Sequence, residues 1–264
     1  MRLVDTHCHL NMMQSESNLD EIIDNAIKND IHRIMVPGLD LESSIDAIKI
    51  AEKFDIVYAA VGYHPNDAHK WNENSLSILQ EIAQHPKVKA IGEIGLDFYR
   101  EHSSKSVQIH VFKEQLKLSE KTGLPVIIHS RNSFEDISKI LIEWQKNIIL
   151  KGTHQYLGIM HAFEGNLTQA NLITKHPFLL GIGGPITYKN SHEKHEIAMK
   201  IPMESILLET DSPFLSPVPL RGKTNEPANI KFIAEKIAHL TEKPLKWVSE
   251  VTSENANKIF AWEL

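Results

Sequence analysis

Leu3-Val4-Asp5-Thr6-His7-Cys8-His9 opens the chain with a short apolar run that ends at once in two imidazoles. In an extended strand, residues two apart share a face, so His7 and His9 point together and Cys8 points the other way. Cys8 reads as a small packed residue behind that pair. No glycine-rich phosphate loop follows the run, which argues against a dinucleotide-binding open sheet. Two histidines alone make an incomplete metal site, so the fold turns on what the other strands deliver to the same end.

Working outward, seven further apolar runs read as strands, at 33–36, 56–61, 90–92, 126–128, 158–160, 179–182 and 206–208, with amphipathic stretches between them. Leu19, Ile22, Ile23, Ala26 and Ile27 mark one helical face, and Asn18 followed by Glu21 reads as a capping-box variant. Pro227 suits a first helical turn before Ile230, Ile233, Ala234 and Ile237. Strands alternating with helices imply parallel βαβ units. Eight such units match a closed (β/α)8 TIM barrel, and the 264 residues fit a single barrel domain over 1–264. Residues 243–264 read as an extra C-terminal helix on the barrel, and 146–155 as a loop into the sixth strand.

The strand ends carry the chemistry. The fourth ends in Gly92-Glu93-Ile94-Gly95-Leu96-Asp97, the fifth in His129-Ser130-Arg131, the sixth in His161-Ala162-Phe163, and the eighth in Glu209-Thr210-Asp211-Ser212-Pro213. Barrel enzymes build their sites at this C-terminal mouth, and ligands from separate strands converge there only when the sheet closes. His7, His9, Glu93, His129, His161 and Asp211 form a donor set suited to two divalent ions such as Mg, Mn or Zn. Glu93 would bridge one ion held by His7, His9 and Asp211 and another held by His129 and His161. Glu93 and Asp211 are the expected catalytic carboxylates, with Asp211 taking or relaying a proton from the attacking water. Asp97 and Glu209 are expected to orient histidines or water from behind. His64, Arg131, Arg221 and Lys223 are expected to contact phosphate. Of the 15 histidines, those at 69, 85, 102, 110, 176, 192, 195 and 239 fall in expected helices or connecting loops and are set aside; His154 precedes the sixth strand rather than ending it.

The formal charge is -6, so the chain has no basic face on average, and contact with a polyanion is expected to be local, through a few Lys and Arg residues and bound cations. A pocket-like mouth admits a chain end more readily than the middle of a duplex. The single cysteine rules out an intrachain disulfide. Without an apolar run of about 20 residues or a signal-like start, a cytoplasmic protein with no membrane contact is expected, and no obligate protein partner is indicated.

Taken in order, Asp5-Thr6-His7-Cys8-His9-Leu10, Gly62-Tyr63-His64-Pro65, Gly92 to Asp97, His129-Ser130-Arg131, His161-Ala162-Phe163-Glu164-Gly165, Glu209 to Pro213 and Arg221-Gly222-Lys223-Thr224-Asn225-Glu226-Pro227 resemble the TatD family of metal-dependent deoxyribonucleases over essentially the whole chain. The resemblance implies an amidohydrolase-superfamily barrel and a two-metal phosphodiesterase acting on single-stranded or frayed DNA, commonly as a 3′-5′ exonuclease. It implies the same six metal ligands. One departure is Ala162-Phe163-Glu164, where the family often has Cys-Phe-Ser or Cys-Phe-Thr; Glu164 adds negative charge near the mouth. Two other readings remain open from the residues: an amidohydrolase or esterase acting on a small molecule or aminoacyl ester, and a non-enzymatic barrel stabilised by metal.

Overall fold

Eight parallel strands pair strictly in chain order, β1 (Leu3–Asp5), β2 (Ile31–Pro37), β3 (Val57–Val61), β4 (Val88–Asp97), β5 (Val126–Arg131), β6 (Gly158–Met160), β7 (Phe178–Ile182) and β8 (Ile206–Leu208). The computed structural model describes residues 2–13, 18–100, 102–146, 148 and 155–262. Most of the expected loop at 146–155, and His154 with it, lies outside the described residues. The helices are α1 (Leu10–Met13), α2 (Leu19–Lys28), α3 (Leu41–Lys53), α4 (Ser75–Ile82), α5 (Lys105–Thr122), α6 (Phe134–Lys146), α7 (Leu167–Thr174), α8 (His192–Lys200), α9 (Ile230–Thr241) and α10 (Leu245–Phe260). No helix among the described residues is long and apolar enough to cross a membrane.

The last strand returns to the first. The Thr6 N–H and hydroxyl both donate to Leu208 O, at 3.1 and 2.9 Å, and Cys8 forms a parallel bridge to Ser212. This is the TIM barrel expected from the sequence. Alternation splits each strand between two apolar layers. Val4, Met35, Ala60, Ala90, Ile127, Ile159, Leu179 and Leu207, one from every strand, pack together inside the barrel. Their neighbours, such as Leu3, Ile34, Val61, Ile128 and Leu208, pack outward against the helices.

The C-terminal helix does more than lie on the barrel. Ala256, Ile259 and Phe260 of α10, and Trp262 just beyond it, join the inner cluster, with the Trp262 ring 5.3 Å from Tyr58 at the start of β3. Asn255 Nδ2 donates to Met203 O and Ile206 O, and Ser253 Oγ to Arg2 O, so α10 is fastened to the entry of β8 and β1. It closes the N-terminal end of the barrel.

Three local expectations change. Strand four does not stop at Gly92: it runs to Asp97, with a register irregularity between Ile91 and Ile94, so Glu93 lies inside the strand. The Asn18 cap takes the Asp20 N–H at 3.1 Å, but its amide meets the Glu21 side chain at 3.2 Å, so no reciprocal capping box closes. Pro227 opens a 3-10 turn (Pro227–Asn229) that feeds α9, rather than the helix itself.

Candidate metal centre at the barrel mouth

Beyond Asp5 the β1 ladder ends and Thr6 bends the chain. That bend exchanges the inward face: Val4 is inside below it, His7 and His9 above. Their Nε2 atoms stand 3.1 Å apart, both rings buried, while Cys8 packs outward in the outer core. Asp5, fully buried, accepts the His7 N–H at 3.3 Å, the Thr210 N–H at 2.9 Å and the Thr210 hydroxyl. One carboxylate thus ties the segment bearing His7 to the segment bearing Asp211. Burial pushes Asp5 up to about 8 against the pull of those donors. Asp211 has φ 55, a left-handed conformation unusual for a non-glycine, fixed by its own N–H donating to His7 O at 2.9 Å.

Glu93 sits at the centre, 2 % exposed. Its Oε2 lies 3.2 Å from His7 Nε2 and 3.7 Å from His9 Nε2, and Asp211 Oδ1 stands 3.4 Å from the same His9 nitrogen. Its Oε1 faces the other way, 2.9 Å from His129 Nδ1, 3.5 Å from His64 Nε2 and 3.9 Å from His161 Nε2. All six expected ligands are brought together. His64, expected to meet phosphate, joins them.

The carboxylates behind the site sort the imidazoles. His129 Nε2 is 3.3 Å from Asp97 Oδ2, and His161 Nδ1 is 3.1 Å from Glu209 Oε1. A carboxylate on one ring nitrogen holds the proton there and leaves the other nitrogen with its lone pair toward the cavity. His64 is wired the opposite way. Its Nδ1 accepts the Asn66 N–H at 3.1 Å, so the neutral ring carries its proton on Nε2 and aims a donor at the cavity. Asp97 and Glu209 therefore stand where ligand-orienting partners should. Gly181 makes room for Glu209: a Cβ there would run into Glu209 Oε2.

The donor set fits divalent cations. Imidazole nitrogens and carboxylate oxygens converge at the mouth in three groups of three among the described residues, His7–His9–Asp211, His7–His161–Glu209 and His64–Glu93–His129, the atoms of each group lying within 4.8 Å of one another. Electrostatics demands positive charge there. Burial opposes ionisation of Glu93, yet the histidines, His64 and His7 foremost, hold it well below the carboxylate range. Burial likewise opposes protonation of His129 and His161, yet Asp97 and Glu93 lift the first to about 9, and Glu209 and Glu93 lift the second to about 10. In metal-free protein, protons supply what a cation would. His64 is pushed down to about 3 by burial and by His129.

The cavity above holds about 530 Å³. Arg131 lines it, its guanidinium 4.1 Å from the Tyr99 ring. Arg221 and Lys223 do not. Both are exposed on the loop after β8, and Arg221 packs over Tyr188, 4.5 Å from its centroid. The part of their motif that reaches the site is Asn225, fully buried, whose Nδ2 donates to Thr210 O and Phe214 O. His102, set aside as a loop residue, lines the cavity with Arg100, because the chain after β4 folds over the mouth. Asn66 Nδ2 bonds Asp97 Oδ2 at 3.3 Å. Its position just after His64 was the available signal. Glu164 lines the cavity, as its charge suggested.

A sequence profile described as TatD related DNase matches residues 4–261 of this chain, its whole barrel. The chain belongs to the TatD family. It is thereby a metal-dependent hydrolase. The metal-dependent hydrolase YabD of Bacillus subtilis is 41% identical over 258 residues, covering 98% of each chain. The 3′-5′ ssDNA/RNA exonuclease TatD of Escherichia coli K12 is 29% identical over 263 residues, again covering 98% of each. Among solved structures, the E. coli TatD homologue YjjV superposes with a TM-score of 0.90 at 29% identity, covering 99% of both chains.

Proposed function

We propose that this TatD-family hydrolase cleaves phosphodiesters at the 3′ ends of single-stranded or frayed DNA, with two divalent ions bridged by Glu93. One observation carries the reading: the two oxygens of a single buried carboxylate address two separate groups, Oε2 toward His7 and His9, Oε1 toward His129 and His161. In this arrangement His7, His9 and Asp211 would hold one ion and His129 and His161 the other. When bound, such a pair lowers the pKa of water and neutralises charge on the non-bridging phosphate oxygens.

The chain's own groups do the rest. Asp211 Oδ1 lies 3.9 Å from both His7 Nε2 and His161 Nε2, near the midline of the two groups, where it accepts a proton from the attacking water. Asp97 and Glu209 keep His129 and His161 in the tautomers that ligation needs. His64 Nε2–H and Arg131 are the donors that orient a phosphate over Glu93. Arg221 and Lys223, out on the rim, are left to meet more distant phosphates of a longer chain.

The DNA substrate draws on the TatD related DNase family, and the single-stranded form and the polarity on the 3′-5′ ssDNA/RNA exonuclease that shares 29% identity with this chain. The net charge of -6 agrees with a substrate held by few phosphates, so salt should weaken binding only shallowly. The test is a 5′-labelled single strand incubated with metal-stripped protein and each of Mg, Mn and Zn in turn. A ladder shortening from the 3′ end, lost on chelation, is expected. Cleavage of a closed circle at a comparable rate would overturn end-dependence, and release of a 5′-terminal mononucleotide would reverse the polarity.

A further inference from the structure

The loop after β8 presents apolar side chains to solvent at the edge of the polar pit. Phe214 is 47 % exposed and Leu215 39 %, and Met12 of α1 beside them is 44 % exposed. All three line the cavity, and the Phe214 ring stands 6.1 Å from that of His9, edge-on. Exposed apolar groups gathered at the lip of a site mark a surface that something covers.

The backbone that presents them is fixed from several sides. The Phe214 N–H donates to Asp211 O at 2.8 Å, and its carbonyl accepts from buried Asn225 Nδ2 at 2.8 Å. The Asn225 N–H donates to Pro213 O at 3.0 Å, and Ser216 Oγ donates to Lys223 O, so residues 213–225 close into a lobe. Leu215 has φ 51, a left-handed conformation that costs a residue with a side chain. Asn225, Ser216 and the lobe contacts therefore spend hydrogen bonds and backbone strain to hold an aromatic and an aliphatic side chain out in water. Apart from its edge-on contact with His9, nearly half of the Phe214 side chain stays exposed.

Across the cavity the rim differs in kind. Arg100, His102 and Arg131 line it from the segments that follow β4 and end β5. The lip after β8 is apolar, whereas the segments after β4 and at the end of β5 bring the guanidinium groups of Arg100 and Arg131, with acidic Asp67 and Glu164 also on the lining. A nucleotide has that same division, an apolar π-face and an anionic backbone.

We propose that Phe214, Leu215 and Met12 form a platform for the nucleobase of the nucleotide whose phosphate lies over Glu93 beside His64 and Arg131, while the chain's next phosphate turns toward Arg100. This rests on the phosphodiesterase reading and adds to it a preference for nucleoside esters over phosphodiesters without a base. Base-on-aromatic stacking is sequence-tolerant, so the platform favours any nucleotide end over a bare sugar or alkyl phosphate.

The test compares thymidine 5′-(p-nitrophenyl phosphate) with methyl p-nitrophenyl phosphate, which share a leaving group, on Mn-loaded wild type, Phe214→Ala and Phe214→Trp. The ratio of the two kcat/KM values should favour the nucleoside ester in wild type, fall on the order of tenfold in Phe214→Ala, and recover in Phe214→Trp. Calorimetric binding of thymidine 5′-monophosphate against methyl phosphate, neither carrying an aryl leaving group, should follow the same order. An unchanged ratio in Phe214→Ala would overturn the platform while leaving the phosphodiesterase reading intact. Turnover of neither ester by wild type would overturn that reading and the platform with it.

Discussion

At the N-terminal end of the strands the barrel interior meets Phe260 and Trp262 of the C-terminal segment, which are 1 % exposed. A few residues further along the same strands, the interior holds Glu93, His7, His9 and His161, nearly as deeply buried, and His129, whose side chain is 19 % exposed. One end is filled by apolar bulk and the other by charge that nothing in the chain fully neutralises. Burial of apolar surface stabilises a fold at about 25 cal/mol per Å², whereas a buried carboxylate costs free energy unless a partner compensates it. The closed end therefore carries stability and the open end carries function. Substitutions at the two ends should separate these properties.

The largest effect is expected at the mouth. Asp211→Asn keeps the side chain's shape but removes a proton acceptor, so turnover should fall by ~10²–10⁴-fold. Thermal unfolding should move little, since the substitution also removes a buried charge. A variant that unfolds rather than merely stalls would erase the proposed division.

At the closed end the expectation inverts. Trp262→Ala empties the base of the barrel and should cost about 3–5 kcal/mol. At roughly 2–4 °C per kcal/mol for a chain of this size, the melting temperature should drop by about 10 °C. Turnover at 25 °C, measured in the same preparation, should stay near wild type; a comparable loss of kcat would mean the two ends are coupled.

Gly181→Ala probes the junction between the layers. The added methyl must displace the Glu209 carboxylate, which faces His161 Nδ1. Outer partners of this kind are worth ~10–100-fold, so metal affinity should fall within that range. A variant binding metal as wild type does would show that Glu209 does not orient His161.

The smallest effect sharpens the charge argument. Asp97 and Glu93 push His129 up to about 9, and Glu209 and Glu93 push His161 up to about 10, from the ordinary value of 6.5. A raised histidine stabilises the fold fully below about pH 6.5, and that contribution is lost as pH rises through the folded value. The melting temperature of metal-free protein should therefore decline from pH 7 to 10 more steeply than that of metal-loaded protein. Parallel slopes would mean the carboxylates do not hold those protons.

The mouth was more legible in the sequence than the base. Ligand-type residues directly after apolar runs place themselves, because a parallel barrel puts every strand end at one rim; His7, His9, His129, His161 and Asp211 were readable for that reason. Glu93 was readable by type, but not its position inside β4, because a register irregularity leaves no mark in an apolar pattern. The α10 stretch reads as an amphipathic helix, yet nothing in its periodicity says that its last turn and Trp262 close a barrel. The position of Arg221 and Lys223 after β8 suggests phosphate contacts, but both stand exposed outside the cavity lining. The buried member that reaches inward is Asn225, whose amide is satisfied by two backbone carbonyls. His102 depended on a loop path, which no local pattern encodes.

The central claim is that Glu93 joins two ions at the mouth. Its most direct test is elemental analysis of metal-stripped protein reconstituted with Mn or Zn, on wild type and Glu93→Ala in parallel. The account predicts two ions per chain in wild type and loss of at least one in Glu93→Ala. Saturation at one ion per chain, bound equally well by Glu93→Ala, would contradict it.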